Sequence, residues 1–94
     1  MASDVRLVIV DSRDATVVLC RWLGMSSTLA LVHSVLQRDR DYEEVGQQYW
    51  SVSASEARRI ADATYADGPT REEVERWTSQ FDAPHFWWIL DHDF

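Results

Sequence analysis

The chain contains neither lysine nor asparagine, and all nine of its basic residues are arginine. Both missing residues have codons that begin AA, so a GC-rich coding sequence accounts for the bias without a functional reason. The single cysteine, Cys20, excludes an internal disulfide and gives no sign of the stapled scaffold of a small secreted domain. Three glycines supply no phosphate-cradling loop, and neither a Walker nor a dinucleotide-binding fingerprint occurs. No apolar run approaches the roughly 20 residues that cross a bilayer. The opening MASDVRLVIVD lacks a basic stretch followed by a long apolar one, so it does not read as a secretory signal. These absences lead us to expect a soluble, cytoplasmic chain.

What is present is a core. The 94 residues are 46% hydrophobic and 12% aromatic, five of them tryptophan, which suits one folded domain over 1–94 and argues against disorder. Charge is distributed unevenly. Residues 1–38 carry three acids against four arginines, a net of +1, and residues 39–94 carry thirteen against five, a net of −8. The total of −7 repels nucleic acid and anionic membranes and favours a basic partner.

VRLVIV (5–10) is apolar at successive positions, the pattern of a strand covered on both faces. DSRD (11–14) reads as a turn. ATVVLCRWL (15–23) fits a second hairpin strand by its β-branched residues, and a helix by the spacing of Val18, Leu19, Trp22 and Leu23; the hairpin is preferred. Ser26 or Ser27 can cap an unusually apolar helix through STLALVHSVLQR. DRDYEEVG (39–46) reads as a polar connection, and QQYWSV (47–52) as a strand with Gln48, Trp50 and Val52 on one face.

Two capping boxes, Ser53 with Glu56 and Thr70 with Glu73, predict two further helices. The first buries Ala57, Ile60, Ala61 and Thr64 and stops at Gly68–Pro69; the second buries Val74, Trp77 and Phe81 and exposes a Glu72–Arg76 pair. The whole implies an α+β fold: a small, mostly antiparallel sheet with about three helices packed on it.

PHFWWILDHDF (84–94) is unusual for a chain end, since termini are commonly polar. Extended, it points Phe86, Trp88 and Leu90 one way and His85, Trp87 and Ile89 the other. An internal core strand is the first reading, and an exposed aromatic anchor centred on Trp87 is the second. His85 and His92, seven residues apart, point to opposite faces of a strand and do not converge on a metal. Cys20 with His33, and Ser34 beside that histidine, are the available nucleophile–base candidates; Cys20 in an apolar run reads as a small core residue. Adjacent helical residues do not face one another, so Ser34 and His33 make no pair. Catalysis, metal and cofactor are therefore not expected. The acidic row Asp39, Asp41, Glu43 and Glu44 reads either as a solvated loop beside Arg38 and Arg40 or as an imitation of phosphates.

The segments LGMSSTLALVHSVL and VSASEARRIADATYADG, with the strands around them, resemble the C-terminal domain of the bacterial ribosomal stalk protein, and the adaptor ClpS has a related arrangement. The match covers Leu23 to Val32 and Val52 to Gly68. It implies a small α+β module that recruits other proteins. Charge and aromatic content point first to a non-enzymatic inhibitor or neutraliser covering a basic, for instance nucleic-acid-binding, surface of another protein. Phage anti-defence proteins and toxin immunity proteins share that profile. Candidate binding residues are Asp39, Asp41, Glu43, Glu44 and Trp87; an adaptor is the alternative.

Overall fold

In β1 (Asp4–Asp11) the buried positions alternate strictly, Val5, Leu7, Ile9 and Asp11 facing inward. The turn that follows is fastened by side chains. Asp11 Oδ1 accepts the Arg13 backbone N–H at 3.0 Å, Asp14 accepts that of Thr16 at 3.0 Å, and Ala15 takes a left-handed φ of 60°. The chain thereby returns as β2 (Thr16–Gly24), the hairpin partner of β1, and the helical alternative for this stretch is excluded. Two register shifts interrupt that pairing, leaving Val18 and Leu23 as extra residues on the edge strand.

The structure, a computed structural model, describes residues 4–44, 46–63 and 69–93, apart from the side chains of Ser26 and Ser27. After β2 come α1 (Ser26–Leu36), β3 (Tyr42–Glu44), β4 (Gln47–Ser51), α2 (Ala54–Ala63), α3 (Arg71–Gln80) and β5 (Phe86–Asp93). The five strands form one antiparallel sheet in the order β2-β1-β5-β4-β3. The last strand therefore occupies the middle, between the first and the fourth. That placement explains the apolar terminus: Trp88 and Leu90 are core residues, and Leu90 is fully buried between Leu7 and Trp50.

The helices take up one face of the sheet. In α2 and α3, Ala57, Ile60, Ala61, Val74 and Trp77 are buried; all of these but Trp77, with Leu7, Leu23, Pro69 and Leu90, leave a void of only about 10 Å³, less than one water occupies. Both capping boxes form in part or whole. Ser53 and Glu56 exchange two bonds, at 3.0 and 3.1 Å, whereas Thr70 accepts from the Glu73 N–H at 3.1 Å and the Glu73 carboxylate turns instead to Arg21 on β2. Thr64 and Gly68 lie outside the described residues.

Four expectations are corrected. The N-cap of α1 is Met25, without a side-chain cap bond, so neither Ser26 nor Ser27 holds that position. The cap is served by backbone, Thr28 N–H donating to Met25 C=O at 2.8 Å, and Gly24 is required because a Cβ there would meet Thr28 Oγ1 at 2.0 Å. The polar connection contains a short edge strand, β3, paired to β4. Glu72 and Arg76 do not pair among the described residues; Glu75 instead reaches across to Arg58 of α2. Finally, β1 is covered on one face only, its outward Arg6, Val8 and Val10 being half-buried.

The two sides of β5 should respond differently to truncation. Leu90→Ala is expected to destabilise by about 2–5 kcal/mol, and Trp87→Ala by about 1 kcal/mol at most, in urea denaturation. Equal losses would place both residues in the core.

Candidate functional site

Residues that point away from the helices form four rows across the strands. Val17, Val10 and Trp87 make the first, and Cys20, Val8, Ile89 and Ser51 the second. Trp22, Arg6, Asp91, Tyr49 and Tyr42 form the third, crossing all five strands, and Asp4, Asp93, Gln47 and Glu44 the last. Antiparallel sheets with one wet face normally place polar side chains there. Here the first two rows are almost wholly apolar. Trp87 is 58% exposed, Val17 57%, Tyr42 41% and Trp22 40%.

The third and fourth rows carry charge. Arg6 Nη2 bonds Asp91 at 3.0 Å and Asp93 at 3.3 Å, and Gln47 donates to the other oxygen of Asp91 at 3.0 Å. Trp22 Nε1 donates to Asp4 at 3.1 Å, holding its indole on this face. Tyr42 and Tyr49 stack at 5.0 Å, and the Tyr42 hydroxyl donates to Glu44 at 2.7 Å, which raises the pKa of the phenol. Asp4, Asp91, Asp93 and Glu44 against Arg6 give these two rows a net charge of −3. The face is thus apolar at the hairpin end and acidic at the other. Six residues of strand separate Trp87 from Asp93, about 20 Å.

The predicted binding residues fall in two places. Trp87 stands in the apolar rows, fully outward. The acidic row lies on the far edge, around β3, and is partly engaged: Asp41 accepts the Ser51 N–H at 2.6 Å, Arg40 holds Glu43 at 2.5 Å, and Glu44 takes the Tyr42 hydroxyl. Asp39 is exposed. Arg38 just before the row bonds Glu56 and the Ser51 carbonyl, tying the end of α1 to α2 and β4. Val17, Trp22 and Tyr42 were not singled out by sequence reasoning. A signal existed: three helices with one-sided apolar stripes cover one face of five strands, and the outward apolar residues of β1, β2 and β5 are left over.

The nucleophile candidates do not meet. Cys20 pairs with Val8 on the open face and is exposed, correcting its reading as a core residue; His33 stands on α1, across the sheet, edge-on to Trp50 at 5.3 Å. Among the described residues no group of three or more His, Cys, Asp or Glu side chains is placed to hold a metal. No helix among them is long and apolar enough to cross a membrane. No known family model matches the chain, and no curated protein is detectably similar to it.

Among the described residues Asp11, Asp91 and His92 are titratable and buried, and both aspartates are held by arginines. His92, on the covered face beside Val5, has Gln48 Nε2 2.8 Å from its Nδ1, and an amide donor there matches a neutral imidazole. Burial lowers its pKa from 6.5; Asp91 and Asp93 oppose that shift, and His33 adds to it. Gln48 Oε1 has no partner among the described residues. Elsewhere charge pairing dominates. Arg13 draws Asp11 down to about 2, Arg71 lowers Asp62, and for Glu56 burial is outweighed by the Ser53 N–H and Arg38, again lowering it.

The sign for His92 follows from the unfolded chain taking the proton more readily than the folded one. Its contribution is complete above pH 6.5 and declines as pH falls through the lowered folded value. The lowered carboxylates respond only below their ordinary 3.8–4.5. Urea midpoints should therefore drop between pH 7.5 and 5, and His92→Gln should flatten that drop. An unchanged slope in the variant would remove His92 as its source.

Proposed function

We propose that this chain is a protein-binding module, a small acidic neutraliser that lays its open sheet face on a basic surface of another protein. The observation that carries the reading is the uncovered face itself: apolar rows where a wet sheet is polar, next to rows with an excess of acid. Trp87 and Trp22 supply large, rigid contact area, as interface anchors do. The acids, with Asp39, Asp41, Glu43 and Glu44 on the adjoining edge, attract and orient a cationic partner. A second copy of the chain is a poor occupant, because opposing two such faces doubles their acidic excess within a molecule already at −7. Phage anti-defence and toxin immunity proteins are the functional classes this profile fits. The adaptor role implied by the ribosomal-stalk and ClpS resemblance would use the same face, with several weak partners in place of one tight one.

The test is a calorimetric titration of the partner isolated with the tagged chain. Trp87→Ala and Val17→Glu should each weaken binding about tenfold or more. Reversing the charge of Asp39, Asp41, Glu43 and Glu44 together should slow association, and affinity should fall as salt rises. Binding that ignores both open-face variants would overturn the proposal. So would sedimentation showing a dimer that Val17→Glu dissolves, since the face would then be covered by its own copy.

A further inference from the structure

Where β4 ends, β5 runs on for a few residues paired with β1 alone, and a cleft of about 290 Å³ opens on its other side. Its walls come from the end of β4, the start of α2 and the α3–β5 connection, and Trp87 joins it to the open sheet face. Four aromatic residues line it. Phe81 and Phe86 meet edge to face at 5.1 Å, and Trp87 stands at the mouth. Trp88 turns its indole N–H back to the Phe81 carbonyl at 3.3 Å, which closes the floor.

The polar lining points to the sign of the occupant. Asp82 is exposed, belongs to the cleft, and makes no hydrogen bond or ion pair among the described residues. Eight other acids among the described residues are held by arginines, so an unpaired carboxylate beside aromatic side chains stands apart. Ser53 and Thr78 belong to the same lining; the Ser53 oxygen accepts the Glu56 N–H, and the Thr78 hydroxyl donates to the Val74 carbonyl. An anion meets a carboxylate here, and one carboxylate does not make a metal site. A flat cation fits: it stacks on the exposed Trp87 indole, donates to Asp82 and gives up its water more easily than an ammonium. The volume, at the low end for ligand pockets, suits a side chain rather than a nucleotide.

We infer that this cleft receives an arginine side chain of the partner protein, its guanidinium stacked on the exposed Trp87 ring at the mouth and paired with Asp82. The inference rests on the reading of the chain as a binder of basic proteins, and names the contact that selects the partner's cation.

The probe is N-acetylarginine amide, with the neutral citrulline, lysine and norleucine amides as comparisons, followed by amide and indole NMR shifts. The arginine amide should move the Trp87 indole and the Asp82 N–H saturably, with a dissociation constant on the order of millimolar for so small a ligand. The citrulline amide should bind roughly tenfold more weakly, and Asp82→Asn should bring arginine down to the same level. Asp82 is unpaired, so its variant should keep the wild-type spectrum elsewhere. Equal binding of norleucine or citrulline, or shifts confined to the Arg6–Asp91 row, would overturn the inference; equal binding of lysine would overturn the choice of guanidinium. Val17→Glu separates the two proposals, because it should weaken partner binding about tenfold or more and leave the arginine titration unchanged.

Discussion

Everything in this fold depends on the chain's last strand being laid between its first and fourth. β1 and β4 are not neighbours; β5 alone joins the β1–β2 hairpin to the β3–β4 hairpin. The row Leu7, Leu90 and Trp50 runs across that junction and forms the floor on which α2 and α3 pack. Without β5 two separate hairpins remain, and isolated hairpins are marginal in water. The pairing of Asp4 with Asp93 also spans nearly the whole chain, a long-range contact whose loop-closure cost slows folding.

The same strand creates the surface. Its inward residues, Trp88, Leu90 and His92, are committed to the core, and strict alternation then sends Trp87, Ile89 and Asp91 outward. Helices cover one face, so Trp87, with Val17, Trp22 and Tyr42 on the neighbouring strands, is left to water, while Asp91 is buried beneath Arg6 and Gln47. Charge works on a different level. Among the described residues seven of the nine arginines sit in ion pairs, most of them partly exposed, and such pairs contribute little to stability. Their effect is to cancel acid locally, which leaves the surplus at one end of the open face, along the β3 edge and at Asp82. That surplus bears on association rather than on the fold.

Alternation and capping made much of the fold legible in the sequence. Two-residue periodicity placed Gln48, Trp50 and Val52, and likewise Phe86, Trp88 and Leu90, on common faces, and the Ser53–Glu56 and Thr70–Glu73 boxes marked two helix starts. Other features carried no such signal. YEE at 42–44 is polar and short, and only its partner strand makes it β3. Met25 caps α1 through its backbone, which side-chain chemistry does not announce. The open face was hidden by its own composition, since strands apolar at successive positions look covered on both sides. For the same reason Cys20 resembled a core residue, and Trp87 was legible only as one of two alternatives. No periodic signal brings Phe81, Asp82 and Trp87 to one cleft, because their meeting depends on the turn at 81–85.

Hydroxyl-radical footprinting of the chain, free and bound to its partner, tests the central claim most directly. In the free chain Trp22, Tyr42 and Trp87 should oxidise readily, as their exposure requires. In the complex those three should be protected together, while the outer faces of α2 and α3 keep their reactivity. Protection confined to the helices, with Trp22 and Trp87 as reactive as before, would contradict the account.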